Sequence, residues 1–460
     1  MVSTHGVVLG GGLAGMLTAS VLARHVDAVT VVDRDRIPDG PKQRIGVPQA
    51  RHAHLLQSGG ARMIDRILPG TTDRLFAAGA RRIGLPSDVV AFSAQGWMHR
   101  FPEMQFMISC SRDLLDWIVR DQALANDRIT LLENTEAVGL HGDRARVTAA
   151  VIEDRTTRRT TRLDADIIVD TTGRGSKATK WLSALGVPDA YEETVDPGVT
   201  YATRVFQAPA GAVERFPLVN IQASPTASQP GQTAALLPIE QGRWLVTISG
   251  VRGAGPSSDE GGFVEFAQSV RHPLVGDLIA RARPLTQIYL SHSTKNRRTY
   301  FERLPSWPDG LVVLGDSVAT FNPTYGHGMS IAAHSAAELH RKLRQRGLVP
   351  GTSRHVQRAI GRVVNIAWTM AISQDMRYPG VVGKQQSLAR RLPQRFFDRL
   401  SRTATSEPKV TAALLNAFTL SEPMSTLMNP VVILSTIRGP RRPPLTEPTL
   451  TAAELASCHD

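Results

Sequence analysis

The 460-residue sequence predicts an α/β fold: a Rossmann-like unit interleaved with an antiparallel sheet, followed by a helical region. Three observations predict it. Residues 6–35 read as strand, glycine turn, helix and strand, and residues 309–343 repeat a strand, a glycine–aspartate turn and a helix. Between them lie runs such as VTYATRVFQAP (199–209) and GRWLVTISGV (242–251), whose alternation suits strands with one buried face.

The first element carries the most specific signal. In GVVLGGGLAGMLTASVLARHVDAVTVVDRD, the apolar run Val7 to Leu9 turns at Gly10, Gly11 and Gly12 and continues as a helix. Gly10, Gly12 and Gly15 form G-x-G-x-x-G in the strand–turn–helix context that a dinucleotide site requires. Gly10 permits the tight turn, Gly12 lets backbone N–H groups approach a pyrophosphate, and Gly15 lets helix and strand pack closely. Leu13 and Ala14 open the helix, whose N-terminus favours negative phosphates. Asp33, 18 residues past Gly15, is placed to accept hydrogen bonds from a ribose. This fingerprint does not choose between NAD(P) and FAD.

The second element is DGLVVLGDSVATFNPTYGHGMSIAAHSAAELHRKL. Its strand, Leu311 to Leu314, ends in Gly315-Asp316, and a Pro323, Gly326, Gly328 loop leads into a helix near Met329. Asp316 could accept hydrogen bonds from a polyol, and a helix start favours negative charge nearby.

Together these segments resemble the FAD-dependent monooxygenases typified by p-hydroxybenzoate hydroxylase. The resemblance implies that Asp316 holds the ribitol and that Pro323, Gly326, His327, Gly328 and Met329 line the isoalloxazine. A third segment, ISCSRDLLDWIVRD (108–121), resembles the family's Arg-x-x-Leu helix start, which assigns Arg112 to the cofactor. RIGVPQARHAHLL resembles the loop R-x-G-V-P-Q-x-R-H-x-H of the flavin epoxidases of polyether antibiotic biosynthesis. That implies Arg44, Gln49 and His54 beside the flavin, with His52 in the same loop. Arg34 and Val138 complete the expected cofactor set. The likeness to this subgroup extends to GWMHRFPEMQFMISCSR (96–112), DTTGRGS (170–176) and FNPTYGHGMS (321–330).

The His-x-His spacing of His52 and His54 also suits a metal, but no Cys/His/Asp cluster supplies a third and fourth ligand, so no metal is expected.

Two departures shape the functional expectation. The hydroxylases carry a Cys-Asp-Gly-type segment near residue 170, where this chain has DIIVDTTGRGS. NAD(P)H, used directly or through a separate flavin reductase, therefore stays open as the electron source. Flavin halogenases carry Gly-Trp-x-Trp-x-Ile-Pro, whereas GWMHRFP has His99 and Phe101 at two of those places, and no lysine lies nearby. Halogenation is disfavoured.

The remaining organisation is read more coarsely. The cofactor motifs fall in 1–78, 109–190 and 290–345, a discontinuous FAD-binding domain. Segments 79–108 and 191–289 are expected to form the antiparallel sheet roofing the substrate. A helical region spans 346–438, and 439–460 reads as a proline-rich tail. Trp97, Phe101, Phe106, Tyr201 and Phe206 are expected to line the substrate cavity.

Composition sets the outer bounds. The length suggests two or three domains. The net charge of +12 is nearly all arginine, crowded at RKLRQRG (341–347) and RRLPQRFFDRLSR (390–402), and reads first as solvated helix faces. No nucleic-acid motif accompanies it. Two cysteines, Cys110 and Cys458, argue against a disulfide framework and for a reducing compartment. With no leader-like segment and no apolar run approaching a membrane span, a cytoplasmic location is expected.

The resemblance implies an FAD-dependent monooxygenase that uses O2 as co-substrate. It would transfer one oxygen from a C4a-hydroperoxyflavin to alkenes of a large apolar polyketide or polyene. The cofactor carries that chemistry, so no catalytic side chain is assigned. An aromatic hydroxylase, an alkene-saturating flavin reductase and a flavin-binding protein without turnover are the alternatives.

Overall fold

The computed structural model describes residues 3–225, 231–292, 294–383 and 391–458. Arg390, at the start of the second arginine-rich segment, lies outside them.

Five parallel strands form the central sheet, in the order Leu311–Val313, Ile167–Asp170, His5–Leu9, Ala28–Val32 and Ile129–Leu132. Both faces are covered, so the inner strands are apolar throughout, and Val7, Val8, Leu9, Val312 and Val313 are fully buried. The helices Leu13–Leu22 and Gly328–Arg346 pack on each other, which brings the two glycine-rich segments together. Register does the rest. Leu9 stands opposite Asp170, and Asp170 opposite Val313, so the turns that follow these three strands emerge side by side. That carboxyl edge is where open α/β sheets bind ligands.

A seven-stranded sheet lies beside it, in the order Tyr289–Ser291, Thr200–Gln207, Arg243–Gly250, Gln232–Ile239, Leu218–Ile221, Val89–Ser93 and Gly96–Trp97. It is antiparallel as expected except where Leu218–Ile221 pairs with Val89–Ser93 in parallel. Segments from 79–108 and 191–289 thus meet in one sheet.

Alternation gives this sheet two distinct faces. Ala202, Phe206, Trp244, Val246 and Ile248 join a core that includes Phe263, Ala267, Val275 and Ile279 of the helices Gly262–Ser269 and Leu274–Ile279. Val205 and Leu245, of the opposite parity, pack with Leu55, Met107 and Leu415.

The helices Thr352–Asp375, Arg391–Ala404, Pro408–Phe418 and Pro430–Arg438 complete the chain's helical portion. In the first arginine-rich segment Arg341 pairs with Glu338 at 2.6 Å, and Arg344 and Arg346 sit in a helix's last turn, where cations are favoured. The proline-rich tail returns to the sheet: Leu445 bridges to Trp97, and Arg100 meets Glu454 at 2.7 Å. No helix among the described residues is long and apolar enough to cross a membrane.

Candidate functional site

A cavity of about 890 Å3 opens at the carboxyl edge of the parallel sheet and extends to the strand Tyr289–Ser291. Its floor is the first glycine turn. Gly10 has φ +103°, and its N–H donates to Val32 O at 2.8 Å, closing the turn over the second strand. A Cβ on Gly15 would stand 1.8 Å from Gly10 O, so only glycine lets the helix start this close to the strand. Gly12 differs: a Cβ there would meet nothing within 4 Å and would project into open space. The helix Leu13–Leu22 has no side-chain cap and no acid in its first turn, which leaves its N–H groups for an anion.

Asp33 lines the cavity with Arg34 beside it, but its carboxylate is already engaged. It accepts from Gly11 N–H at 2.6 Å and Asp35 N–H at 2.9 Å, and Arg44 lies 2.7 Å away. A carboxylate has about four lone-pair sites, so capacity for one ribose hydroxyl is left. Arg44 also reaches Gly11 O at 2.9 Å, tying the 44–54 loop to the glycine turn.

Asp316 lines the same cavity as Gly10. No protein donor among the described residues reaches its carboxylate. Burial in the cavity wall raises its pKa, opposed by the charges of Arg112, Arg174 and Arg297. A polar group so placed fits a polyol donor. Arg112 approaches from the helix Arg112–Leu124 and pairs with Asp116 at 2.7 Å.

The segment DTTGRGS holds the two turns in place. Buried Asp170 accepts from Thr172 N–H at 2.8 Å, Thr172 Oγ1 at 2.6 Å and Ser176 Oγ at 2.5 Å, and Ser317 Oγ lies 3.3 Å away. Gly173 N–H donates to Ser317 Oγ at 2.8 Å, and Thr171 Oγ1 lies 2.9 Å from Gly10 O. Sequence reading missed Asp170 and Ser317 as the clamp between the turns.

The loop Asn322–Gly328 forms another wall through Pro323, Gly326, His327 and Gly328, with Met329 behind it. Gly326, at φ +65°, makes the reversal into the helix Gly328–Arg346, whose first turn again has neither cap nor acid. Asp375, also missed in the sequence, anchors this loop from the helix Thr352–Asp375. It is buried and accepts from Tyr325 Oη at 2.6 Å, Asn296 Nδ2 at 2.6 Å and Asn322 Nδ2 at 3.1 Å.

His52 and His54 act as hydrogen-bonding loop residues. His52 Nδ1 lies 2.9 Å from Thr203 Oγ1, with the ring edge-on to Tyr201 at 4.4 Å. Burial and neighbouring Arg51 lower its pKa to about 4. His54 Nδ1 donates to His52 O at 2.8 Å, and burial followed by Arg112 lowers its pKa to about 3. His54 is therefore neutral, with Nε2 as an acceptor. His327 Nε2 donates to Phe418 O at 3.0 Å, and burial lowers its pKa to about 4.

The cavity thus gathers Gln49 and His54 with the turns, Arg112 and the flavin-type loop, but not every residue expected there. Gly15 packs behind the turn. Val138 is exposed and lies just past Thr135, Glu136 and Ala137, which line the cavity. Of the five aromatic candidates, Tyr201 lines the cavity. Phe206 has the opposite parity on the same strand and stacks toward Phe263 at 6.0 Å. Trp97 packs on Phe92 at 4.7 Å in the same second core. Phe101 lies beside His99 at 6.0 Å, and Phe106 is covered by Arg82 at 4.0 Å. These four are corrected to packing positions. Among the described residues no three His, Cys, Asp or Glu side chains converge as a metal site.

The family described as FAD binding domain matches residues 3–346, three quarters of the sequence. The chain belongs to this FAD binding domain family. Protein Rv3254 of Mycobacterium tuberculosis is 27% identical over 427 residues, spanning 90% of this chain and 89% of that protein. A flavoprotein/dehydrogenase from Cytophaga hutchinsonii aligns with a TM-score of 0.65 at 14% identity, over 94% of this chain and 96% of its own. The myxobacterial chondrochloren halogenase CndH gives 0.61 at 15% identity, over 91% and 97%. PqsL of Pseudomonas aeruginosa, described as a probable FAD-dependent monooxygenase, gives 0.59 at 18% identity, over 82% and 99%. At these identities the likeness is one of fold, the fold of FAD-dependent monooxygenases and halogenases.

The geometry fits the family's cofactor. The open cradle at Gly12 and the bare helix start suit the FAD pyrophosphate. Asp316, which no donor among the described residues reaches, suits the ribityl hydroxyls, and the Asn322–Gly328 loop suits the ring.

Proposed function

We propose that this chain is an FAD-dependent monooxygenase that inserts one O2-derived oxygen into an alkene of a large, apolar polyketide or polyene. One observation supports the reading above all: among the described residues, the wall beyond the Asn322–Gly328 loop offers no side chain suited to deprotonate a substrate. Tyr201, Ile288, Leu290 and Phe321 line it. The cavity's carboxylates, Asp33, Asp35, Glu136 and Asp316, belong to the turns and strands of the nucleotide end. His52 and His54 are weak bases, with pKa values lowered to about 4 and about 3. A phenol requires a base for activation, whereas an electron-rich alkene reacts without one.

Bound FAD, once reduced, supplies the activation of O2. The chain's own residues orient and protect. The helix starts at Leu13 and Gly328 favour negative charge on the cofactor, including charge gained on reduction. Buried Phe321 and half-buried Ile288 help keep water from the reacting end, which limits loss of oxygen as hydrogen peroxide. We assign electrons to NAD(P)H, delivered directly or through a separate flavin reductase.

The test supplies reduced FAD, 18O2 and a trisubstituted alkene to the holoenzyme and looks for labelled epoxide by mass spectrometry. Hydroxylation of a phenol instead, or saturation of the alkene with a gain of two hydrogens, overturns the epoxidase reading.

A further inference from the structure

We propose that the apolar end of the cavity binds a chain terminating in a carboxylate, and that Arg51 receives that carboxylate. The inference rests on the reading of this end as the substrate site, but not on oxygen transfer itself.

Arg51 closes the short 3-10 turn Pro48–Arg51 and projects into the cavity mouth. Its guanidinium lies over the Tyr289 ring, 4.7 Å from the centroid. No carboxylate among the described residues pairs with it. The other cavity cations with close acidic neighbours are committed elsewhere: Arg44 to Asp33 and Asp35, Lys177 to Glu136, and Arg112 to Asp116.

The surroundings define what Arg51 could meet. Ala53 and Leu55, just after it in the chain, and Ile288 and Leu290, which flank Tyr289 on its strand, are apolar residues of the lining. Arg174 lines the same end, and its charge acts on Tyr201, whose pKa is raised by burial and lowered by Ser291 and Arg174. Strand register relates the two arginines. Tyr289, beneath Arg51, stands opposite Thr203, two residues along the strand from Tyr201. Apolar lining with a guanidinium beside it, unpaired among the described residues, is complementary to an amphipathic acid, with the tail on the apolar residues and the carboxylate on the arginine.

Arginine suits the task for a geometric reason. With one face over Tyr289, its in-plane N–H groups stay free, and two of them can donate in parallel to the two oxygens of a carboxylate. Such charge-assisted hydrogen bonds change affinity by roughly tenfold to a hundredfold. An ester or amide offers a single neutral carbonyl and forgoes most of this.

The test is calorimetric titration of oxidised holoenzyme, so no turnover is needed. The probes are a long-chain triene carboxylic acid, its methyl ester, the phosphate monoester of the matching alcohol, and NADPH. In the wild-type protein the acid should bind at least tenfold more tightly than the methyl ester. Arg51→Gln should erase that difference, weakening the acid tenfold or more and leaving the ester unchanged, and Arg51→Lys should restore part of it. Retention of FAD by both variants verifies the fold. Equal binding of acid and ester by the wild type overturns the proposal, as does an equal loss for both in Arg51→Gln. Tighter binding of the phosphate ester than of the acid shifts the ligand class to phosphates and overturns it too. Loss of NADPH affinity without loss of acid affinity assigns Arg51 to the electron donor instead. Binding of the acid through Arg51 with no labelled epoxide in the oxygenation assay refutes oxygen transfer and leaves this inference standing.

Discussion

Tyr325 Oη donates to Asp375 Oδ1 at 2.6 Å, joining the loop that walls the flavin site to a helix 50 residues downstream. The same carboxylate takes Asn322 Nδ2 and Asn296 Nδ2. Burial raises the pKa of Asp375 and, with Asp375 itself, that of Tyr325. Loop conformation is therefore set from outside the loop. Asp375→Ala takes the acceptor from Tyr325 Oη and Asn322 Nδ2 and leaves Asn296 Nδ2 only Val195 O at 3.4 Å, each lost pairing costing about 1–3 kcal/mol. We expect a clear fall in the denaturation midpoint and a shift in the flavin absorption maxima and reduction potential. Unchanged spectra and potential in a folded variant would show that the contact only stabilises the protein.

Asp316→Ala removes an acceptor that has no partner to leave stranded among the described residues. Stability of the FAD-free protein should hold or rise, because burial of that carboxyl is unfavourable. FAD affinity should fall roughly tenfold to a hundredfold, the value of a charge-assisted hydrogen bond. Fluorescence titration of the FAD-free protein measures it.

Gly15→Ala forces a methyl to within 1.8 Å of Gly10 O. The helix must move off the strand, at a cost of at least about 1–3 kcal/mol. Gly12→Ala meets no protein atom and should cost the fold little while obstructing the cofactor. Melting temperatures and FAD content of the two variants should therefore separate: both low for Gly15→Ala, only FAD content low for Gly12→Ala.

Acid should destabilise the protein through its buried histidines. His52, His54 and His327 have folded pKa values of about 4, 3 and 4, below the usual histidine value of 6.5. Their contribution is present in full above the unfolded pKa. As pH falls below about 6.5 the unfolded chain takes up protons that the folded chain refuses. Each histidine then removes up to about 1.4 kcal/mol per pH unit until its folded pKa is reached. Denaturation midpoints between pH 7 and pH 5 should show the slope, and His54→Gln should reduce it.

The glycine turns, Asp33, Asp316 and Arg112 were legible because each belongs to a short local pattern with one geometric use. Asp170, Ser317, Asn296 and Asp375 were not. Polar residues scattered over 200 positions give no sign of pairing until sheet register and helix packing bring them together. Phe206 and Val138 failed for a different reason. Phe206 is out of phase with Tyr201 on one strand, an alternation already visible in the sequence, whereas Val138 lies just beyond the cavity-lining stretch Thr135 to Ala137. Trp97 offered no such clue, because its neighbours Phe92 and His272 come from separate segments.

The same alternation bears on how such a protein changes over time. Along Thr200–Gln207 the odd positions Tyr201 and Thr203 meet the cavity wall and its histidine, whereas Ala202 and Phe206 hold the helix-covered core. Substitution at Tyr201, which lines the cavity, can reshape what the pocket accepts while leaving the helix-covered core of Ala202 and Phe206 in place. A single strand thereby keeps selectivity and robustness on separate registers, and descendants can acquire new substrates while inheriting an intact scaffold.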